Sequence, residues 1–433
     1  MKSENIKSFE TKGWLKLDNA AKLFPAIMSD SLTSVFRITA TLPNPVNYKA
    51  LREAVEITSK RFPYFSVSLG SGLFWYFLEF NNQMPRIQAE DVIPCTAFAA
   101  KRKNEPLYRV LIKNRRISVE FIHILTDGGG AIEYLKSLLY TYLTLTGNQI
   151  SYHGDIILPG TPLSEEEIED GYNRFFRRLP PPVKLVKAWH LPFKLNSMPG
   201  MNVLRAEVPS QDILDMSRRY NVSVTEYFTA EYMFALHEIF VSWRGNSRKK
   251  IRKVLRIEVP VNMRKKYPSR TMRNFSLFVL PEIDLRLGTY TFEEILQSVH
   301  HQLQISADVK QISRFLSSNV SHEKQFIVRI LPLFIKKMAI AAIYRGLASK
   351  RWTGIMTNLG VVTLPAEMEE MVDSFDIIPP PPNSKVKLSC GFVSYKDKMR
   401  VTFCNITGSN EVERRVLTHL TQAGIHVKVL NND

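Results

Sequence analysis

The seven residues 123–129, His-Ile-Leu-Thr-Asp-Gly-Gly, combine side chains suited to proton transfer. His123 offers an imidazole that titrates near neutral pH, so it can take a proton from a hydroxyl or an amine. Asp127 could hold that ring or brace the loop by pairing with an arginine elsewhere. Gly128 begins a run of three glycines, which permits close approach of a ligand to the main chain. The motif indicates a general base; the alternative is a core histidine satisfied by Asp127.

The segments on either side of this motif predict the elements that position it. Residues 117–122 alternate between apolar and polar side chains, which is typical of a strand. Residues 131–139 repeat apolar side chains at helical spacing. His123 is therefore predicted at the end of a strand, and the glycines at the start of a helix.

Other sites of chemistry find less support in the sequence. His237 lies in an apolar helical segment, and the adjacent pair His300 and His301 cannot share one helix face, so neither predicts a metal site. The zincin, α/β-hydrolase and P-loop motifs are absent. The three glycines after a strand do not match the G-x-G-x-x-G pattern of dinucleotide sites. We predict neither a bound metal nor a permanent cofactor.

The composition is that of a folded protein with a basic surface. The 433 residues carry a formal charge of +17 with 45% hydrophobic residues. A basic chain favours anionic partners such as nucleic acid, acidic lipid headgroups or a phosphate-bearing cofactor; the alternative is a solubilising surface. Nucleic-acid binding would require aromatic residues interleaved in a basic stripe, which the sequence lacks.

The sequence predicts a cytoplasmic protein without a transmembrane segment. Its three cysteines are far apart and match no disulfide or metal spacing. The N-terminus has no apolar signal-peptide region. The most hydrophobic stretch, 326–347, is interrupted by arginines and lysines. It is interpreted as part of a helix over 323–350 that packs on the core, with an amphipathic surface helix as the alternative.

Loss of regular patterning divides the chain into two halves. Residues 1–165 alternate strands with helices, one of them at 48–60, and carry the histidine motif. Residues 166–200 are rich in proline and are predicted to be a linker, with a capping-box pattern from Ser164 that seeds one helix. Residues 201–433 repeat the mixture of strands and helices. An α/β fold with a mixed sheet in each half is expected.

The histidine motif matches the H-x-x-x-D-G signature of the CoA-dependent acyltransferase superfamily. This group includes chloramphenicol acetyltransferase-like enzymes, wax ester synthases and condensation domains. Four further segments resemble it in the same order along the chain, and the opening Leu-Asp-Asn-Ala-Ala resembles bacterial alcohol acetyltransferase-like members. These five segments are 17–21, 61–65, 259–265, 273–275 and 357–360.

The resemblance implies two chloramphenicol-acetyltransferase-like halves with an active-site tunnel between them. It implies that His123 removes the acceptor's proton, so that an oxygen or nitrogen attacks an acyl thioester such as acyl-CoA. The motif aspartate, Asp127, is then chiefly structural, and Arg264 is our candidate partner for it. Arg264 is also expected among the substrate-binding residues. Gly128 completes the predicted catalytic motif.

Two groups of residues are expected to bind the substrates. Donors to the developing oxyanion are sought in Thr357, Asn358 and Asn274. Basic side chains after the P-V-N segment are expected to bind CoA phosphates or an acidic carrier protein, namely Lys265, Lys266, Arg270 and Arg273.

One departure from the family separates the alternatives. Peptide-forming condensation domains usually carry a second histidine directly before the motif histidine, where this chain has Ile122. This favours a free-standing O- or N-acyltransferase, such as an alcohol O-acetyltransferase, acting on a small alcohol or amine. A carrier-protein-dependent acyltransferase and a non-catalytic homologue that binds acyl ligands are the alternatives.

Overall fold

A computed structural model of the protein describes residues 13–81, 83–90, 93–100, 102–151, 153–197, 200–244, 253–346 and 350–430. The chain forms β-sheets with helices packed against them, as the sequence predicted. One apolar core lies mainly within the N-terminal half and a second lies within the C-terminal half. The expected α/β fold with two halves is confirmed.

The strands follow most of the predicted segments. Their bounds are β1 Trp14–Lys16, β2 Val35–Thr41, β3 Val67–Ser71, β4 Tyr76–Phe80, β5 Arg86–Ala89, β6 Tyr108–Lys113, β7 Arg116–Ile122, β8 Asn202–Pro209, β9 Val254–Asn262, β10 Ser276–Val279, β11 Glu282–Asp284, β12 Gly354–Val361, β13 Ser374–Ile378, β14 Leu388–Tyr395, β15 Lys398–Asn405 and β16 Lys428–Leu430.

Three sheets are built from these strands. The N-terminal half holds a five-stranded sheet in the order β13-β2-β7-β6-β5, and β1, β4 and β3 form a small separate sheet. The C-terminal half holds an eight-stranded sheet, β10-β9-β12-β14-β15-β8-β16, with β11 paired to β9. The predicted motif strand, β7, is buried at six of its seven positions because both of its faces are covered.

Strand β13 crosses from the C-terminal part of the chain into the N-terminal sheet. It pairs antiparallel with β2, with Ser374 opposite Thr41 and Ile378 opposite Arg37. The chain then returns to the C-terminal sheet through β14. The division at 166–200 proposed from the sequence therefore does not separate two self-contained sheets, because 374–378 completes the sheet of the other half.

Helices cover the sheets and the junction between the halves. Their bounds are α1 Phe24–Ile27, α2 Tyr48–Arg61, α3 Gly128–Leu145, α4 Gly171–Arg174, α5 Ser210–Arg219, α6 Val224–Arg244, α7 Phe292–Ser306, α8 Val309–Lys324, α9 Phe326–Ile330, α10 Leu333–Gly346, α11 Ala366–Glu369 and α12 Glu411–Gln422.

Helix α2 shows how the local sequence sets these bounds. The Asn47 side chain accepts a hydrogen bond from the Ala50 amide at 3.1 Å and caps the helix. Leu51 and Val55 are fully buried on one face. The helix ends at Arg61, two residues before Pro63, because a residue that precedes proline disfavours the helical conformation.

The helix predicted over 323–350 is wrong in two respects. Residues 323 and 324 end α8, and a break at Gln325 and another at Pro332, which has no amide hydrogen to continue a helix, leave α9 and α10 as separate helices; residues 347–349 lie outside the described part of the chain. The segment also does not pack on the core with its apolar side. In α9 no residue is buried, and in α10 the one buried residue is Lys336.

The segment 166–200 is held against both halves. The capping box predicted from Ser164 is confirmed, and it begins a short 3₁₀ helix, Glu165–Ile168. Glu167 in this helix accepts hydrogen bonds from the Arg61 guanidinium at 2.7 and 2.9 Å and from the Tyr64 hydroxyl at 2.6 Å. Two residues later, the Glu169 carbonyl accepts from the Thr271 hydroxyl at 2.7 Å. At Glu167 and Glu169 the predicted linker therefore contacts residues of both halves.

Candidate active site

Main-chain hydrogen bonds from both halves fix His123 at the end of β7. Its amide donates to the Ser34 carbonyl at 2.9 Å, and its carbonyl accepts from the Asn274 side-chain amide at 2.9 Å. The imidazole stacks on Phe24, with 5.3 Å between ring centroids, and lies 4.6 Å from the Phe36 ring. The ring is thus held between aromatic side chains of the N-terminal half.

This environment favours the neutral imidazole. Burial lowers the pKa of His123 below its usual value, because the charged form loses solvation. The nearby Asp127 charge and hydrogen bonds involving Asn274 and Thr126 oppose this shift without reversing it. The lowered pKa favours a neutral ring at neutral pH, the form in which a histidine can accept a proton.

Asp127 joins the motif to the C-terminal half. One carboxylate oxygen accepts from the Gly129 and Gly130 amides at 3.1 and 3.4 Å and caps α3. The other accepts from the Arg264 guanidinium at 3.0 Å and from the Phe275 amide at 2.8 Å. Burial would raise the pKa of this carboxyl, but the Arg264 charge and these hydrogen bonds lower it, so Asp127 is ionised. Its oxygens bind groups other than the imidazole.

The glycines of the motif allow protein segments to approach one another. A Cβ on Gly130 would lie 2.2 Å from the Thr126 hydroxyl and 2.3 Å from the Met272 carbonyl. On Gly129 it would lie 3.0 Å from the Arg264 guanidinium. On Gly128 it would meet the end of the flexible Leu359 side chain at 2.9 Å. The space beside Gly129 and Gly130 is therefore filled by the chain itself.

The guanidinium of Arg264 donates its hydrogen bonds to groups within the protein. Besides Asp127, it donates to the Thr271 carbonyl at 2.7 Å, to the Arg273 carbonyl at 2.5 Å and to the Asn262 side chain at 3.2 Å. These bonds close the loop that follows β9. The substrate contact predicted for Arg264 is not what its geometry offers, since its donors are engaged inside the protein.

Arg273 is also internal, which corrects the prediction that it binds CoA phosphates. Only 6% of the residue is exposed. Its guanidinium lies 3.8 Å from the Asp18 carboxylate and donates to the Ile168 carbonyl at 3.2 Å and to the Lys16 carbonyl at 2.5 Å. A phosphate outside the molecule could not reach it without removing these contacts.

Asn274 is unsuited to the oxyanion role predicted for it. Its side-chain nitrogen donates to the His123 carbonyl at 2.9 Å and to the Asp18 carboxylate at 3.1 Å, which uses both amide hydrogens. Asn274 therefore positions the histidine instead. In β12, Asn358 donates to the Thr225 hydroxyl at 2.9 Å and its side-chain oxygen accepts from the Gly360 amide at 2.7 Å. The second hydrogen of the Asn358 side-chain amide and the partly exposed Thr357 hydroxyl remain candidate donors to the oxyanion.

Asp18 and the aromatic neighbours of His123 were missed by the sequence reasoning. Asp18 is fully buried, and burial raises its pKa to about 6, although the Arg273 charge opposes this. It connects Arg273 and Asn274 to the N-terminal half. The available signal was that Asp18 is the one acidic residue within the apolar segment 14–27. Asp18 lies in the segment 17–21 that resembles the family opening, but the resemblance assigned no function to it. Nothing in the local pattern marked Phe24 and Phe36.

The remaining predicted basic residues lie together on the loop after β9. Lys265, Lys266 and Arg270 are exposed. They share this loop with Arg264, and Arg264 contacts the motif aspartate. Of the four basic side chains proposed for phosphate binding, these three are accessible to an anionic ligand.

A cavity of about 680 Å³ lies between the two halves. Its lining comes from both parts of the chain, and within the described residues it does not include His123. Phe24, which stacks on the imidazole, lies three residues before Ile27, which lines the cavity. Helix α1 therefore contacts the imidazole through Phe24 and lines the cavity through Ile27. The cavity lining includes Ile27, Thr33, Cys95, Ala341, Tyr344 and Arg345.

The described part of the chain contains no group of His, Cys, Asp or Glu side chains arranged to hold a metal ion. Cys95, Cys390 and Cys404 are buried free thiols. Among the described helices, none has the length and apolar character needed to cross a bilayer.

Comparison with solved structures identifies proteins that have a similar fold. No family model matches the sequence, and no curated protein matches it. Among solved structures, TRI101 of F. sporotrichioides, determined with coenzyme A and T-2, is similar with a TM-score of 0.62 at 12% identity, covering 96% of this chain and 100% of that chain. The wax ester synthase/diacylglycerol acyltransferase of Marinobacter aquaeolei VT8 gives 0.53 at 15% identity, covering 94% and 100%.

A third similar structure is a variant of the starter condensation domain of rhizomide synthetase, solved with C8-CoA. Its TM-score is 0.58 at 10% identity, and 97% of each chain is covered. All three likenesses extend over nearly the whole of both chains, and they include an acyltransferase, a protein in complex with coenzyme A and a condensation domain. The chain therefore has the two-lobed fold shared by CoA-dependent acyltransferases and condensation domains.

Proposed function

We propose that the protein is an acyltransferase that moves an acyl group from acyl-CoA to the hydroxyl or amine of a small acceptor. The observation that carries this proposal is the neutral imidazole of His123, fixed at the junction of two halves with an acyltransferase-like fold. The Asp127–Arg264 pair belongs to the framework that holds the histidine loop against the C-terminal half.

The proposed reaction needs no covalent enzyme intermediate. His123 takes the proton from the acceptor as its oxygen or nitrogen attacks the thioester carbonyl carbon. The tetrahedral intermediate carries a negative oxygen, for which the Thr357 hydroxyl and the second Asn358 amide hydrogen are the proposed donors. The intermediate then expels the thiolate, which takes the proton from the imidazolium. General base assistance of this kind contributes about 10²–10⁴-fold to the rate.

The exposed basic loop is the proposed site for the phosphates of CoA. Lys265, Lys266 and Arg270 are accessible, and they lie on the loop that Arg264 ties to the motif. Ile122 in the position of the second condensation-domain histidine supports a free-standing enzyme over a peptide-forming domain. A carrier-protein donor would meet the same basic loop, so the donor must be established by assay.

The test is a thiol-release screen with acyl-CoAs of several chain lengths against mixed alcohols and amines. Once a substrate pair is found, His123→Ala is expected to lower the turnover number by at least about 10²-fold. His237→Ala is the matched control, because His237 is also buried, at 1% exposure, but lies in α6 of the C-terminal half. Retention of activity within a few-fold by a folded His123→Ala protein would contradict the proposed role.

A further inference from the structure

Helices α9 and α10 expose their largest apolar side chains. Phe326 is 74% exposed, Phe334 66% and Met338 71%. Ile327 and Ile330 are also more than half exposed. Soluble monomers rarely expose apolar groups that are this large and this close together in the chain unless the surface binds something. We call these five residues the outward apolar patch.

The orientation of α10 is the reverse of a normal amphipathic helix. Lys336 is turned inward, with 4% of the residue exposed. Its ammonium lies 3.6 Å from the centre of the Trp75 ring and donates to the Phe74 carbonyl at 2.9 Å. The first amide of the helix, of Leu333, donates to the Leu73 carbonyl at 2.8 Å. Specific contacts therefore hold α10 with its apolar side toward the solvent.

The turn between β3 and β4 extends the apolar surface. Leu73 at its tip is 71% exposed, and Phe74 is 40% exposed. Both residues contact α10 through the hydrogen bonds of their carbonyls to Leu333 and Lys336. A hairpin tip and two helices thus present leucine, isoleucine, phenylalanine and methionine side chains side by side.

The charges along this part of the chain are of one sign. Residues 324–346 contain no aspartate or glutamate and five basic residues, of which Lys336 is turned inward; the other four are Lys324, Arg329, Lys337 and Arg345. The whole chain carries +17. Apolar side chains flanked by lysine and arginine are typical of segments that lie in the interface of an anionic membrane.

A second copy of the chain fits this surface less well. A twofold contact would place the same patch on both subunits and would bring the basic residues of one copy against those of the other. Like charges brought together across an interface oppose association. The patch is therefore complementary to an acidic surface rather than to itself.

We propose that α9, α10 and the β3–β4 turn form a docking surface for an anionic phospholipid bilayer, on which the protein lies without crossing it. Phe326, Phe334 and Met338 enter the acyl boundary, and the flanking basic residues meet the lipid phosphates. This inference does not depend on the proposed acyl transfer. It has one geometric consequence: Ala341 and Tyr344 of α10 line the cavity between the halves, so the docked face is next to that cavity.

The test is co-sedimentation of the 433-residue chain with vesicles. Phosphatidylcholine vesicles containing about one third phosphatidylglycerol are expected to bind the protein, and pure phosphatidylcholine vesicles to bind it much less, because each basic residue near an anionic surface changes binding about fivefold. The double variant Phe334→Ser with Met338→Ser is expected to reduce binding at least tenfold. Leu287→Ser is the apolar control, since Leu287 is 79% exposed but lies between β11 and α7.

A second pair of variants tests the charges separately. Arg329→Gln with Lys337→Gln is expected to weaken binding to the anionic vesicles about 25-fold, from fivefold for each residue. Lys49→Gln with Arg52→Gln lowers the net charge equally from exposed positions in α2 and should leave most of the binding intact. Thermal melting of every variant confirms that it is folded. Lys49, Arg52 and Arg329 are exposed and Lys337 is partly exposed, so these substitutions should change the melting temperature little.

Three results would overturn the proposal. The first is failure of the wild-type protein to bind the anionic vesicles. The second is equal binding by the Phe334→Ser, Met338→Ser variant and the Leu287→Ser control. The third is a wild-type dimer in sedimentation equilibrium that Met338→Ser converts to a monomer, which would assign the patch to a contact between copies.

Discussion

Removal of the Asp127 carboxylate is expected to destabilise the junction between the halves severely. Asp127→Ala removes the cap of α3, leaves the Phe275 amide without its acceptor and leaves Arg264, which is mostly buried, without its counter-charge. Loss of a cap costs about 1 kcal/mol, an unpaired amide about 1–3 kcal/mol, and a buried ion whose partner is lost about 3 kcal/mol. A loss near 5 kcal/mol would be a large part of the stability of an ordinary domain, about 5–15 kcal/mol.

Asp127→Asn is the variant suited to quantitative work. An asparagine oxygen can still accept one of these bonds, so we expect a cost of about 2–3 kcal/mol from the lost charge interaction with Arg264. Chemical denaturation followed by tryptophan fluorescence measures it, and a cycle with Arg264→Met isolates the pair. The double variant should be less destabilised than the sum of the two single variants by about 2 kcal/mol. If the destabilisation of the double variant equals the sum of the two single variants within about 0.5 kcal/mol, the Asp127–Arg264 ion pair does not hold the two halves together.

The free energy of unfolding at acid pH is a second measurement of the same ion pair. Because the pKa of Asp127 is lower in the folded protein than in the unfolded chain, its contribution is present above the unfolded value of about 3.9 and is lost as pH falls through the folded value. Wild type should lose stability over this range more steeply than Asp127→Asn. Parallel pH profiles would show that the carboxylate is not stabilised by folding.

Three further predictions concern the site. The kcat/KM of His123-dependent transfer should fall only below a pKa lower than 6.5, since burial lowers that value; a limb centred above 6.5 would contradict a desolvated base. Gly130→Ala should cost about 1–3 kcal/mol by overpacking, because the new methyl group would lie 2.2 Å from a buried hydroxyl, whereas Gly346→Ala meets open space and should leave the melting temperature unchanged. Lys265→Gln with Lys266→Gln should raise KM for acyl-CoA but not for acyl-pantetheine, which lacks the CoA phosphates; equal effects on both would rule out phosphate binding.

Local patterns in the sequence were sufficient for much of the fold. The strand before His123 and the helix after it follow from the periodicity of apolar residues, which acts within a few residues of each position. The matching segments named Asp127 and Arg264, residues 137 positions apart in the chain that lie in contact. Such pairs can be proposed from sequence only through resemblance, since spacing alone carries no information about distant partners.

The roles of several residues depend on contacts between distant parts of the chain, which the sequence does not reveal. Arg273 has the residue type of a phosphate ligand, and only the fold around Asp18 shows that it is internal. Asn274 has the residue type of an oxyanion donor, but both of its amide hydrogens are used to hold protein groups. Residues 326–346 have the composition of a core helix, and the contacts of Lys336 with Trp75 turn the apolar side outward. In each case the sequence shows the residue type, but the role depends on surroundings that only the fold reveals.

The crossover strand β13 has a consequence for how the protein is made. The N-terminal sheet lacks its edge strand until residues 374–378 have been synthesised, so β2 must wait for a partner more than 330 positions later in the chain. Pairing at this sequence separation is slow, and an unpaired β2 edge is exposed to association with other chains. Expression of residues 1–200 alone should therefore give an aggregation-prone fragment, and co-expression with 201–433 should restore soluble protein by supplying the strand in trans.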